Sequence, residues 1–182
     1  MRVISGLAKG ISLKTPDGLA TRPTADRIKE AMFSIIQFDL PGTAVLDLFG
    51  GTGQLGIEAL SRGAKSAVFV DQAESACSLI RENLRRTKFQ NTAKVIRSDY
   101  LTFLKNSHEK FDIILLDPPY AEIFLENSLK MISEIDILQS NGIIVTERPV
   151  EKALSVDFPG FSRSRDYKYG KTLLTIYRKE NP

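Results

Sequence analysis

The sequence predicts an α/β fold in which a parallel sheet, covered by helices on both faces, ends in an antiparallel hairpin. Three observations carry that expectation. From residue 44 onward short β-rich runs alternate with amphipathic helical runs. Several of the short runs are almost continuously apolar, as in Ile113-Ile114-Leu115-Leu116, which suits strands buried on both faces. The last two runs are joined through only Tyr169-Gly170-Lys171, too short a link for a crossover helix.

In chain order, the N-terminal segment comes first. Arg2–Ser5 and Ile11–Lys14, linked through Gly6 and Gly10, predict a small hairpin. Arg22-Pro23-Thr24 then opens a helix whose apolar positions Ile28, Met32, Ile35 and Ile36 share one face, with Asp26 in its first turn. The expected strands are Ala44–Leu48, Ala67–Val70, Lys94–Arg97, Asp112–Leu116 and Gly142–Thr146. Helices are expected at Leu55–Arg62, Ala73–Thr87, Leu101–Lys105 and Ile123–Ile135, with Gly63 ending the first of these. Phe161–Tyr169 and Thr172–Arg178 form the closing hairpin, read as a pair reversed against the five parallel strands. With 182 residues and no low-complexity linker or repeat, one domain is expected. Residues 1–38 form an arm that packs on a core spanning 39–182.

Composition narrows the chemistry. The single cysteine, Cys77, sits in a helical pattern, and the single histidine, His108, sits in the polar stretch Asn106–Lys110. Neither a disulfide framework nor a Cys/His metal cluster can be built from them, and no metal is expected. Ser-His-Asp and Cys-His mechanisms have little material to use. No apolar run approaches a membrane span and no signal peptide is evident, so the expectation is a monomeric cytoplasmic protein. The net charge of +3 is unevenly spread: residues 1–38 carry six Lys/Arg against three Asp/Glu, and residues 148–182 carry eight against four. The intervening stretch is acidic, with eleven against fifteen. Two basic ends around an acidic middle suit a polyanionic partner, although solvated tails would look the same.

Candidate chemistry gathers where strands end. The first strand runs into Asp47-Leu48-Phe49-Gly50-Gly51-Thr52-Gly53-Gln54-Leu55-Gly56. Gly51-x-Gly53-x-x-Gly56 fits the dinucleotide fingerprint, with Asp71 twenty residues after Gly51 as the ribose-binding acid. NAD is therefore one reading of the loop. A carboxylate at Asp47, just before the glycines, would repel a pyrophosphate and suits a cationic ligand such as S-adenosylmethionine. Asp47, Asp71, Asp99 and Asp117 each stand at or just beyond the carboxyl end of a successive expected strand, the edge where open α/β sheets bind ligands. Helix capping is the competing explanation for any one of them. Asp117-Pro118-Pro119-Tyr120 follows its strand directly. Two prolines remove two amide donors, leaving carbonyl oxygens and a carboxylate, an acceptor-rich site that suits an amine with two N–H bonds. The expected chemistry is methylation of such an amine.

These residues resemble, over nearly the whole chain, the bacterial 16S rRNA (guanine(966)-N(2))-methyltransferases, the RsmD family. The match runs through Met1–Gly6, Lys9-Gly10, Arg22-Pro23-Thr24-Ala25-Asp26-Arg27-Ile28-Lys29-Glu30-Ala31-Met32-Phe33 and Leu46-Asp47-Leu48-Phe49. It continues in Leu55–Ala64, Asp117–Tyr120 and Tyr169-Gly170-Lys171-Thr172. The family commonly has Ala-Gly-Ser-Gly-Ala where this chain has Gly50-Gly51-Thr52-Gly53-Gln54, and often Glu where Asp71 stands. The resemblance implies a Rossmann-like class I methyltransferase with a seven-stranded mixed sheet and S-adenosylmethionine across its carboxyl edge. It implies that Asp47 and the Gly51 and Gly53 backbone hold the methionine end, Asp71 the ribose, and Asp99 and Tyr100 the adenine, with Phe49 also among the cofactor-binding residues. Asp117 and the Pro118 carbonyl would accept the N–H bonds of guanine N2, and Tyr120 would stack on the flipped base. Arg22, Thr24 and Arg27 are candidates for contacts to the rRNA backbone or the cofactor's edge, the substrate implied being 16S rRNA within a partly assembled small subunit. Other amine methyltransferases, acting on adenine N6 or a protein glutamine, share the tetrapeptide and remain alternatives. A non-catalytic RNA-binding module would not need the cofactor residues.

Overall fold

A computed structural model of the chain describes residues 1–16, 23–119, 122–152, 154 and 158–180. In chain order the elements are α1 (Pro23–Ile35), β1 (Ala44–Asp47), α2 (Gln54–Ser61), β2 (Ser66–Asp71), α3 (Glu74–Thr87) and β3 (Ala93–Arg97). They continue as α4 (Tyr100–Asn106), β4 (Phe111–Leu116), α5 (Glu122–Glu134), β5 (Leu138–Pro149), β6 (Phe161–Tyr169) and β7 (Thr172–Lys179). The strands form one sheet in the order β3-β2-β1-β4-β5-β7-β6. β1 to β5 pair in parallel. β7 lies between β5 and β6 and is antiparallel to both. The closing hairpin is therefore present, but only β7 is reversed; β6 runs with the first five. The chain moves outward in one direction from β1 to β3, then returns to place β4 on the other side of β1. That switch point splays the loops after β1 and β4 apart.

Side chains alternate across the sheet, so each strand feeds two cores. Val45, Phe69, Leu115, Val145 and Ile176 pack with α1, α2 and α3 on one face. Leu46, Val70, Ile114, Ile144 and Tyr177 pack with α4 and α5 on the other. α2 lies against β2 so closely that a Cβ at Gly56 would sit 2.3 Å from the Phe69 ring. Gly63, at φ +103°, ends that helix as expected: its amide reaches Leu60 O and the Ala64 amide reaches Ala59 O, the paired bonds of a Schellman motif. β5 extends well beyond the expected Gly142–Thr146, because β7 pairs with it through Pro149 and Leu138 pairs with Phe111 across a register shift.

The N-terminal arm departs most from expectation. Its two runs meet at a single bridge, Arg2 with Ser12, instead of forming a ladder. Val3 N, Leu13 N and Gly10 N donate across the two runs, and other amides of the arm turn to α2. Ile4 N and Ser5 N donate to the Glu58 carboxylate at 2.8 and 3.0 Å. Ala8 N donates to Ser61 Oγ at 2.9 Å and Leu7 N to Ser61 O at 2.8 Å. Asn83 on α3 holds the end of the arm, accepting from Lys14 N and donating to Lys14 O and Thr52 O. Val3, Ala8 and Leu13 join Ile28, Met32 and Phe33 of α1, and Ile36 just past its end, in the core beneath the sheet. Ile35, expected on the buried face of α1, is half-buried, and Phe33 takes the deeper place.

Glu58, fully buried, also receives Arg62 Nε at 2.8 Å and lies 3.7 Å from Lys29 Nζ, which itself donates to Arg2 O at 2.7 Å. Burial lowers the Lys29 pKa while Glu58 opposes that shift. Replacing Glu58 by Ala strands a buried ammonium and two amides, so the expected loss is about 3–5 kcal/mol, read as a fall in the urea midpoint. A loss within the ordinary surface range, about 0.5 kcal/mol, would show that the arm is held by its apolar contacts alone.

Candidate functional site

A cleft of about 580 Å³ opens over the carboxyl ends of β1, β2, β3 and β4, at the switch point. Asp47, Asp71, Asp99 and Asp117 all line it, together with Phe49, Gly51, Tyr100 and Pro118. The parallel strands deliver these residues to one edge, so separations of tens of residues in sequence become neighbouring positions in space.

The four aspartates are not equivalent. Asp47 is 1% exposed; its Oδ2 accepts from Gly56 N at 3.0 Å, and its Oδ1 has no partner. Burial, opposed by the Gly56 and Phe49 amides and reinforced by the nearby Asp117 and Asp71 charges, pushes its pKa up to about 7. Asp71 bridges the loop, with Oδ2 accepting from Gly51 N and Oδ1 from Ala73 N, both at 2.9 Å. Asp99 caps α4: Oδ1 accepts from Leu101 N at 3.0 Å and Thr102 N at 3.1 Å. The capping explanation thus applies at Asp99. It accounts for only one oxygen of Asp47: Oδ2 takes the first-turn Gly56 amide of α2, whose own N-cap Gly53 has no side chain, and Oδ1 is left over.

The glycine loop turns tightly, with Gly51 at φ +53° and Gly53 at φ +79°, a region costly for other residues. Its amides are turned inward. Gly50 N donates to Val70 O, Gly51 N to Asp71 and Gly53 N to Gly50 O. A dinucleotide loop points such amides at a pyrophosphate. Here three are engaged within the protein and the acid beside them has an unpartnered oxygen. The loop is built for a ligand that brings donors or positive charge.

Aromatic rings form the apolar wall. The Phe49 and Tyr100 centroids are 5.3 Å apart, Tyr100 and Phe124 5.5 Å, and Phe49 and Phe124 6.3 Å. Phe124 was not among the sequence candidates, because in α5 it reads as one more apolar position of an amphipathic helix. Tyr100 Oη lies 3.4 Å from Asn127 Nδ2.

Asp117 is half-buried at the floor of the cleft and Pro118 is buried beside it. Burial raises the Asp117 pKa. Sequence reasoning missed its neighbour. Leu116 pairs with Thr146 at the end of β4, so Asp117 is the first residue past that strand and Glu147 the next on β5, close enough for the Asp117 charge to act on it. Burial and the Asp117 charge both raise the Glu147 pKa. The signal was the one already used for the four aspartates, an acid where an apolar strand reaches the carboxyl edge, obscured because β5 continues past it.

Of the remaining candidates, Arg27 is exposed on α1. Arg22, the Thr24 side chain and Tyr120 lie outside the described residues. His108 is exposed in the loop before β4, and Cys77 is buried in α3, both away from the cleft lining.

The family model described as conserved hypothetical protein 95 matches residues 1–178. The chain is 41% identical over 182 residues to YlbH of Bacillus subtilis, named as a candidate rRNA methyltransferase, covering 98% of this chain and 99% of that protein. It is 30% identical over 180 residues to ribosomal RNA small subunit methyltransferase D of Escherichia coli, covering 99% and 90%. Among solved structures, yhhF of Escherichia coli, described as a candidate methyltransferase, superposes with a TM-score of 0.89 at 27% identity and covers 100% of this chain and 99% of its own.

The raised carboxyls make a stability prediction with a definite sign. Asp47, Asp117 and Glu147 all titrate higher in the folded protein than in the unfolded chain. Above the ordinary carboxylate range the folded state then binds more protons than the unfolded one, so stability falls as pH rises through the Asp47 value of about 7. The ligand-free protein should melt at a higher temperature near pH 5 than near pH 8, and Asp47→Asn should flatten that slope. A melting temperature that climbs over the same range would contradict the account.

Proposed function

The chain belongs to the conserved hypothetical protein 95 family, the RsmD family, and on that premise we propose that it is an S-adenosylmethionine-dependent methyltransferase acting on guanine N2 in 16S rRNA. The observation that carries the reading is the carboxylate row along the cleft, above all the buried, unpartnered Oδ1 of Asp47. A ligand bearing an ammonium and a sulfonium answers that arrangement, and an anionic pyrophosphate does not. The rRNA assignment rests on the relatives' names, and guanine 966 on the family resemblance.

S-adenosylmethionine supplies an electrophilic methyl group. Everything else falls to the protein. Asp47 and the Gly51–Gly53 loop would hold the methionine end. Asp71 keeps further lone pairs beyond the two amides it already accepts and would take the ribose hydroxyls. Asp99 Oδ2, not used in capping, would accept from the adenine amine, with Phe49, Tyr100 and Phe124 against its ring. Asp117 and the Pro118 carbonyl would each accept one N–H of guanine N2, which directs the nitrogen lone pair at the methyl carbon. Positioning of that kind supplies most of the rate in such a transfer. Burial keeps the Asp117 carboxylate a stronger base than an exposed aspartate, fit to take the released proton. Tyr120 would stack on the guanine once it has left its helix. The basic arm, with Arg22, Thr24 and Arg27, would meet the rRNA of a partly assembled small subunit in the cytoplasm.

Three experiments test this. Asp117→Ala should leave S-adenosylmethionine binding by calorimetry intact while transfer to small subunits lacking the modification falls by about 10²-fold or more. Mass-spectrometric mapping of the wild-type product should place the methyl group on a guanine N2. Near-normal turnover in the variant, or a methyl group on adenine or protein, overturns the assignment. Arg27→Ala should lower the salt dependence of RNA binding by about one unit of log–log slope; an unchanged slope returns Arg27 to an ordinary solvated arginine.

A further inference from the structure

Resting on that methyltransferase reading, we propose that Glu147 is a positioning residue of the same reaction: its carboxyl donates to Asp117, so the two share one proton and present a single negative charge to the amine.

Register places the two groups together. Leu115 pairs with Val145 and Leu116 with Thr146, so Asp117 leaves β4 immediately after the last rung and Glu147 is the next residue of β5, within reach of the Asp117 charge. Leu115 and Val145 share the core on the α1–α3 face, and alternation sends Asp117 and Glu147 to that same face. Asp47 stands on this face too, one step earlier on the neighbouring strand, since it pairs with Leu115. On its other side Glu147 pairs with Leu174 of β7, flanked by Leu173 and Thr175. That strand brings no charge to the group.

The surroundings leave one way to hold two buried acids. Asp117 is the one charged group acting on Glu147 among the described residues, and Asp117 in turn faces Asp47. Arg148, next in sequence, points to the opposite face and donates to Lys152 O. The two acids are half-buried, and their desolvation together with their mutual repulsion favours holding one proton between them. Asp117 lines the cleft, whereas Glu147 does not. The proton therefore resides on Glu147, where it fixes one Asp117 oxygen and leaves the other for the amine.

Balance over the step is simple. The amine nitrogen forms its bond to the methyl carbon, and the electron pair of the broken carbon–sulfur bond stays with sulfur. One N–H proton passes to the free Asp117 oxygen. The pair, singly charged before transfer, is neutral after it and returns that proton to solvent when the product leaves.

The consequence is a bell-shaped pH profile owned by the pair. Activity needs one proton on the two carboxyls: it rises as the first proton leaves and falls as the second leaves. Measured as kcat on small subunits from about pH 6 to about pH 10, the wild type should lose about tenfold per pH unit beyond its upper limb. Glu147→Gln keeps the donor and removes the ionisation, so the upper limb should vanish while the lower limb remains. Glu147→Asp should restore the bell. An upper limb that survives in Glu147→Gln, or is missing from the wild type, overturns the proposal. Should Glu147→Gln fail to fold, carboxyl ¹³C resonances of the wild type decide: Asp117 and Glu147 must titrate as a coupled two-step pair, and two independent single steps overturn the proposal. Absence of any methyl transfer by the wild type would instead defeat the methyltransferase reading itself.

Discussion

One carboxylate joins what would otherwise be two separate pieces of chain. Glu58 sits near the middle of α2, fully buried, and gathers two backbone amides of the arm, the Arg62 side chain and the Lys29 ammonium. α2 itself starts at the glycine loop. The element that shapes the ligand end is therefore the element that anchors the arm. A buried ion pair of this kind adds little net stability over an apolar replacement, yet it leaves few alternative ways to dock the same surfaces. Glu58 accepts amides at fixed positions, which a greasy contact would not require.

At the opposite end of α2 the electrostatics are inverted. Lys29 and Arg62 meet Glu58, but among the described residues no lysine or arginine meets Asp47, Asp117 or Glu147 in that way. The protein thus keeps three desolvated acids along adjacent strands β1, β4 and β5. Such an arrangement works against folding at neutral pH, and residues selected for stability alone would not sit there. It fits a site whose balance is completed by what binds to it. The inward-turned glycine amides follow the same logic, since they remove the donors that would favour an anion.

Much of this could be read from the chain itself. The parallel strands were found because Ile113–Leu116 and its counterparts are apolar on both faces, and their carboxyl ends carried Asp47, Asp71, Asp99 and Asp117 to a common edge. What escaped was set by partners distant in sequence. β5 is twelve residues long because β7 pairs with its polar end, so Glu147 looked like the exit from a short strand. The arm's two runs have strand-like composition, but whether amides pair with each other or with Glu58 and Ser61 depends on residues more than fifty positions away. Phe124 carries no local mark that separates a ligand wall from a helix core. Lys29 reads as a surface lysine until its carboxylate is known.

The placement of β7 bears on how the molecule comes into being. β5 and β6 do not pair with each other; β5 gains its second neighbour, and β6 its neighbour in the sheet, only with the strand that follows both. During synthesis, which runs from the amino end, β5 is left with one bare edge until Thr172–Lys179 has emerged from the ribosome. The sheet half that carries Glu147 is thus completed after translation has passed residue 179 rather than progressively with it. A chain cut short before Thr172 would hold every aspartate of the cleft and still present an open strand edge to its neighbours, an invitation to aggregate.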